Sequence, residues 1–364
     1  MRIRIERRPI VSQPLLYLTP PLAVVATMLV CFGLFAVMGD NPARSLYAFF
    51  IAPLLSGNGL AELGVKAAPL VMIAVGLAAG FRANVWNIGA EGQLTLGAIC
   101  GGGVALAFWN QPGGWILPLM CLAGILGGMA WAAIPAFLRV VLGVNEILTS
   151  LMLTYVASLF LAILVYGPWK DPEGFNYPQS RMFSPAETLP ILIPGTRLHL
   201  GVLVAVLIAI AAWLVMSRSM LGFQIRAAGL APAAARYAGF SRARLVWITM
   251  LASGGLAGLA GVFEVAGPIG QLIPTLTPGY GFTAIIVAFL GRLDPLGIIL
   301  AGLVVALSYI GGDNAQVVAG LPAATTGLVQ GLLLFLLLAS DFLVRYRLRI
   351  AAPRTAPLPV KAPA

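Results

Sequence analysis

Charge is what this sequence has least of: Asp, Glu, Lys and Arg together make up 9% of its 364 residues, against about 25% in soluble domains. A soluble fold cannot bury the apolar surface that this leaves in one core. Histidine is nearly missing as well, with His199 the single one. It has no acid or base beside it in the sequence, so no catalytic triad can be assembled around it. Cysteine is sparse: Cys31, Cys100 and Cys121 lie in separate apolar runs without metal-ligand spacing, so they read as small buried hydrophobes. No metal site and no cofactor are expected. There is no GxxxxGK[ST] phosphate loop, so the chain does not hydrolyse ATP by that route. These absences exclude a soluble enzyme and a metalloprotein.

What is present is apolar sequence in long runs, 60% of the chain with a mean hydropathy of +0.96. A membrane-spanning helix needs about 20 mainly apolar residues. The charge-free stretches predict spans in Pro9–Gly39 and Leu63–Phe81, and two more in Gly92–Leu138, split by the turn Asn110-Gln111-Pro112-Gly113-Gly114. Further spans are predicted at about Ile147–Trp169, Leu200–Ser217 and Leu245–Glu264. An irregular segment with Gly267-Pro268, Pro274 and Pro278-Gly279 then precedes a short helix, Phe282–Leu290. The last two spans are Pro295–Gly311 and about Ala323–Ser340. The expectation is an all-α polytopic membrane protein of about ten transmembrane helices, with residues 1–350 as a single transmembrane domain and 351–364, rich in Pro and Ala, as a disordered cytoplasmic tail.

The net charge of +10 sets the orientation. With both termini inside, 17 of the 22 basic residues fall on inner segments, among them Arg2, Arg4, Arg82, Arg139, Arg226, Arg236, Arg242 and Arg292, while Arg44, Lys66, Lys170, Arg181 and Arg197 fall outside. This is the positive-inside pattern. It also disposes of nucleic-acid binding, since no basic domain gathers these charges. The longest non-membrane segments are an outer, periplasmic loop 170–199 and an inner loop 218–244.

Acidic groups at membrane depth are costly and mark pathways or helix pairs. Glu91 sits in the polar, glycine-bearing run Phe81–Gln93, which predicts a broken or re-entrant segment; an ordinary hairpin with Glu91 paired to Arg82 is the alternative. Glu146 follows Asn145, a suitable N-cap, and complements the helix dipole there. Glu264 ends a span carrying Gly254, Gly255, Gly258 and Gly261, a spacing that favours close helix packing. In the inner loop, Pro232–Ala238 has proline at a first helical position and a glycine stop, Gly239. It predicts a helix of about two turns, whose apolar positions Leu230, Ala234, Tyr237 and Ala238 could fill a groove on a cytoplasmic partner.

Three runs carry a family resemblance: Gly80–Gln93 (GFRANVWNIGAEGQ), Phe137–Leu153 (FLRVVLGVNEILTSLML) and Ile225–Gly239 (IRAAGLAPAAARYAG). They resemble permease subunits of bacterial ABC importers, in the superfamily of ribose and branched-chain amino-acid permeases, and within it most of all the nucleoside and simple-sugar uptake group. The resemblance implies a subunit of a heteromeric importer in the bacterial inner membrane. Its partners would be ABC ATPase subunits, a second permease (a paralogue or a second copy) and an extracytoplasmic solute-binding protein, and ATP hydrolysis would belong to the ATPase. It implies two inverted halves, spans 2–5 and 7–10. The solute implied is a nucleoside, with a simple sugar as the alternative, since Asn87, Gln93, Asn145, Thr149, Ser150 and Tyr155 offer hydrogen bonds without fixed charge, and Glu91 and Glu146 stand beside them on the expected pathway. Leu230, Pro232, Ala235, Arg236 and Tyr237 would form the ATPase-coupling helix. The rival reading is an ion-driven transporter using Glu91 or Glu264 as a proton site.

Overall fold

The computed structural model describes residues 2–7, 13–39, 41–276 and 278–351. Contacts divide it into two compact units, residues 43–330 and residues 1–42 with 331–364. The tail expected to be disordered lies outside the described residues except for Ala351.

The smaller unit contains helix α1 (Gln13–Val37) and an unexpected two-stranded antiparallel ribbon. Strand β1 (Arg2–Arg7) pairs with β2 (Tyr346–Ala351), with Arg2 opposite Ala351 and Arg7 opposite Tyr346. In the larger unit, α2 (Pro42–Leu46) runs through a π turn (Tyr47–Ile51) and a 3₁₀ turn (Ala52–Leu55) into α3 (Gly57–Arg82). Then come α4 (Ala90–Ala107), α5 (Ile116–Leu142), α6 (Glu146–Tyr166) and, after the outer loop, α7 (Leu200–Arg218). The inner loop folds into α8 (Met220–Leu230) and α9 (Pro232–Tyr237). The second half is α10 (Arg242–Glu264), a π turn (Val265–Ile269), α11 (Tyr280–Leu290), α12 (Pro295–Ala319) and α13 (Ala324–Arg345), the last crossing from the larger unit into the smaller.

Seven helices among the described residues are long and apolar enough to cross a membrane. The third, eighth and tenth predicted spans correspond to α4, α11 and α13, which are not among the seven. Caps fix most boundaries. Ser56, Asn145, Ser241 and Asp294 accept backbone N–H groups at the starts of α3, α6, α10 and α12, and Gly143 (φ 68°) and Gly320 (φ 67°) end α5 and α12 in the left-handed conformation.

Burial separates centre from rim. The most apolar window of α3 is 83% buried and that of α10 is 72% buried, against 22% in α6 and α7. A helix hydrophobic all round and buried belongs in the middle, so α3 and α10 are the central pair and α6 and α7 face outward. The packing is reciprocal: α10 lies against α4 and α5, and α3 lies against α11 and α12. Each half thus lends its long first helix to the second and third helices of the other.

Glycine makes these contacts close. A Cβ at Gly258 would stand 2.1 Å from the Gly124 carbonyl oxygen, one at Gly261 2.1 Å from that of Leu94, and one at Gly254 2.5 Å from that of Gly128. Gly255 meets the flexible Met129 instead, 3.1 Å away. With backbone touching backbone, α10 fits α4 and α5 without slack.

Candidate functional site

Each half breaks after its long central helix. The inner break, Ala83–Gly89, follows α3. Asn84 takes a positive φ of 58°, and Val85 N–H returns to the Gly80 carbonyl at 2.9 Å. Asn87 is buried and holds the turn: its Nδ2 donates to Gln93 Oε1 (2.8 Å) and Ser253 Oγ (3.0 Å), while its Oδ1 accepts from Gln93 Nε2 (3.1 Å) and Gly89 N–H (3.1 Å). Ile88 N–H donates to Ser150 Oγ at 3.2 Å and Trp86 N–H to Glu146 Oε1 at 3.2 Å. Glu146 forms an ion pair with Arg139, which also donates to the Asn84 carbonyl. Buried polar groups need such partners, and here they tie the break to α6 and α10.

Of the sequence-derived pathway residues, the structure thus gathers Asn87, Gln93, Glu146 and Ser150 in one network. Asn145 caps α6 through Ile147 N–H (2.9 Å), and Thr149 bonds back to the Asn145 carbonyl. Tyr155, 60% exposed, lies on the outward side of α6, away from the network. Glu91 is not paired with Arg82, whose ion-pair partner is Asp294 (3.8 Å). It accepts instead from Gly281 N–H at the start of α11, 2.5 Å away. The glycines of this run serve contact with α6: a Cβ at Gly92 would stand 2.7 Å from Thr154 Cα and one at Gly89 2.5 Å from the Ser150 carbonyl oxygen.

The inner loop packs directly on this break. Ala83 and Val85 share one buried cluster with Ile225 of α8 and Leu245, Val246 and Met250 of α10. Gly229 lets α8 close on α3, since a Cβ there would meet the Arg82 carbonyl oxygen at 1.9 Å. Helix α9 sits over a cavity of about 480 Å³ lined by Asn84, Val85, Ala235, Arg236, Arg242 and Leu245, among others. A neighbouring cavity of about 600 Å³ shares Asn84, Arg242 and Val246 with it. Leu230 is 87% exposed and Tyr237 98%, and Pro232, Ala234, Arg236 and Ala238 are exposed too. Ala235 lies on this helix as expected and is its buried residue, lining the cavity beneath.

The outer break, Val265–Gly279, is longer and is held by a different element. From the outer loop, Ser180 N–H donates to the Leu272 carbonyl (2.9 Å), Phe183 N–H to Gly270 (2.8 Å) and Leu189 N–H to Ala266 (2.8 Å), and Leu272 N–H returns to Ser180 Oγ (2.9 Å). His199 is buried against Gly267, with Nδ1 accepting from Gly201 N–H at 3.1 Å. Burial pushes its imidazole pKa down to about 4, with Glu62 partly opposing the shift. Arg197 forms a bidentate pair with Glu62, 2.7 Å on each arm, and that hydrogen bonding holds its guanidinium above the ordinary value.

Behind this break runs a polar seam that the sequence reading missed. Lys66 Nζ donates to Tyr280 OH at 2.8 Å. The Tyr280 ring meets that of Tyr309 edge to face at 5.4 Å, and the Tyr309 hydroxyl is 2.8 Å from Thr283 Oγ1. Gln330 Nε2 donates to Ser308 Oγ at 3.1 Å. The sequence carried one hint, Glu62 and Lys66 four residues apart and so on one helical face. No cluster of three or more potential metal ligands occurs among the described residues.

Known proteins match this arrangement in sequence. The family model described as branched-chain amino acid transport system, permease component, matches residues 59–338. The chain is 39% identical to a glucose ABC transporter permease protein of Haloferax volcanii, over 97% of this chain and 95% of the relative. It is 31% identical to a guanosine ABC transporter permease protein of Bacillus subtilis (76% and 80% covered). It is 27% identical to a nucleoside ABC transporter permease protein of Lactococcus lactis (91% and 93%). No solved structure shows a significant match. A multi-pass helical chain matched to this family model from before its second predicted span almost to the end of its last belongs to the permease components of the branched-chain amino acid transport family, the non-enzymatic membrane subunits of ABC transporters.

Proposed function

We propose that this chain is one permease subunit of an ATP-driven importer in the cytoplasmic membrane. It carries a small, uncharged, hydroxyl-bearing solute inward from an extracytoplasmic binding protein. A hexose is favoured by the glucose permease of Haloferax volcanii, which aligns with nearly the whole of both chains. A nucleoside is the second reading, supported by the guanosine and nucleoside permeases. The other partners are a separate ATPase and a second permease, either a paralogue or another copy. Helix α9 is the contact with the ATPase.

The observation that carries this reading is the exposure of Leu230 at the end of α8 and of Tyr237 on the short helix α9, next to a buried cluster that joins α8 to the inner break. Large apolar side chains so exposed on a short polar-side helix fit a partner's groove. ATP can drive transport only through its different affinity for the ATPase in two states. Closure of the ATPase then moves α9, the buried cluster transmits the shift to Ala83 and Val85, and the Asn87–Gln93–Ser253 network acts as an inner gate that opens and recloses. On this reading Glu146 and Ser150 belong to the gate, Glu91 links it to α11, and Thr149 and Tyr155 face lipid or the second permease.

The test is ATP-dependent uptake in vesicles containing all subunits. Leu230→Asp with Tyr237→Asp should cut solute uptake by about tenfold or more, as loss of two interface anchors does, while the ATPase still hydrolyses ATP. Uptake at the unaltered rate would refute the role of α9. Uptake that needs no ATPase and collapses with an uncoupler would refute the importer.

A further inference from the structure

Glu264 is 5% exposed at the end of α10, and its carboxylate has no hydrogen-bond or ion-pair partner among the described residues. A buried carboxylate without a partner is costly at membrane depth. It is not isolated electrically, however, because Lys66, Arg197, Glu62 and Glu91 all lie within electrostatic reach of it. Arg197 and Glu62 satisfy each other, and Glu91 is engaged by Gly281 N–H. That leaves the Glu264 carboxylate without a hydrogen bond among the described residues, while the Lys66 ammonium, within electrostatic reach of it, spends one of its three N–H donors on Tyr280 OH. All three side chains border the outer break: Glu264 immediately precedes its π turn and Tyr280 opens the helix after it.

We propose that Glu264, Lys66 and Tyr280 form a waypoint that binds the vicinal diol of the transported solute as it passes the outer break. The proposal rests on the sugar-or-nucleoside reading above and adds the residues that recognise the hydroxyls. A carboxylate accepts from two adjacent hydroxyls at once, an ammonium donates to the lone pairs they leave, and a phenol does either. A hexose and a ribosyl group both present such a pair. Glu62, Glu146 and Asp294 are by contrast ion-paired. No bond is made or broken in this step; the solute exchanges water for protein hydrogen bonds and leaves again.

The experiment uses the complete transporter in proteoliposomes, with uptake of glucose compared to 3-deoxyglucose and of guanosine compared to 2′-deoxyguanosine. The binding protein is the same in every assay, so its own selectivity cancels when a variant's ratio is divided by the wild-type ratio. Glu264→Gln should narrow the preference for the intact diol by roughly tenfold, the worth of one hydrogen bond to a charged group. Tyr280→Phe, which removes one oxygen atom, should narrow it about threefold. If Glu264→Gln fails to assemble, Tyr280→Phe decides alone. Unchanged ratios in the assembled variants, or equal loss of both solutes of a pair, overturn the waypoint and leave the importer standing. Wild-type transporter that takes up neither glucose nor guanosine overturns the solute class, and the waypoint with it.

Discussion

The two breaks occupy the same place in each half, after a long central helix and before the helix that follows, yet they are closed in opposite ways. The inner one is short and closed by side chains: Asn87, Gln93 and Ser253 satisfy one another, and Asn87 and Ser150 accept the turn's N–H groups. The outer one is longer, held through backbone bonds to a separate loop, and leaves the carboxylate of Glu264 unsatisfied. A closed set of amides is stable in one arrangement and poor in any other. A loop strapped across a π turn can be lifted by whatever grips the loop. The pair therefore teaches a difference of attachment: the inner break is bonded to α6 and α10 and packed against α8, whereas the outer break is bonded to the backbone of the loop 170–199.

The largest expected effect comes from removing the centre of the inner lock. Asn87→Leu leaves the Gln93 amide and Gly89 N–H buried without partners, at about 1–3 kcal/mol each, so the detergent-solubilised variant should melt far below wild type or fail to accumulate. A small shift would mean that the lock is ornamental and that the contrast with the outer break does not exist. Next in size is a pair of glycines. Gly92→Ala must displace the α6 backbone at Thr154, whereas Gly267→Ala, with the His199 ring 2.9 Å from the new methyl, need only push a side chain. The first should lose about 1–3 kcal/mol. The second should lose less and be relieved when His199→Ala is added, which a double-mutant cycle of melting curves would reveal. Equal losses would show that the run after the inner break is packed no more rigidly than the outer break.

The smallest effect belongs to pH and sharpens the comparison. His199 titrates at about 4 in the fold against 6.5 in the free state, so the unfolded chain binds the proton first. Its stabilising contribution is complete above pH 6.5 and is lost as the pH falls toward 4. Wild type should lose melting temperature between pH 7 and pH 4.5, and His199→Asn, which keeps a side chain able to cap α7, should lose less. Parallel curves would show that the outer break does not feel this imidazole.

Much of the fold was legible because apolar length and glycine punctuation are local signals. Gly113-Gly114 marked the α4–α5 turn, Pro232 and Gly239 bracketed α9, and Gly267-Pro268 announced the irregular run before α11. Tyr237 could be placed on the exposed side of a short helix from spacing alone. Others could not. Asn87 and Gln93 looked like free hydrogen-bonding groups because a sequence shows donors and acceptors without showing that they meet. Lys66 looked like a border charge, since nothing nearby in the sequence announces Tyr280, which lies 214 positions away. What escaped was in each case a contact between distant segments.

The ribbon of β1 and β2 bears on how the protein is made. Arg2–Arg7 pairs with Tyr346–Ala351 and with no other strand among the described residues, so β1 must wait for a strand that leaves the ribosome more than 300 residues later. At about 5–20 residues per second, that is tens of seconds during which β1 is an open, arginine-rich edge. Its pairing is a late event of biogenesis, reached only after the apolar helices between the two strands have been synthesised.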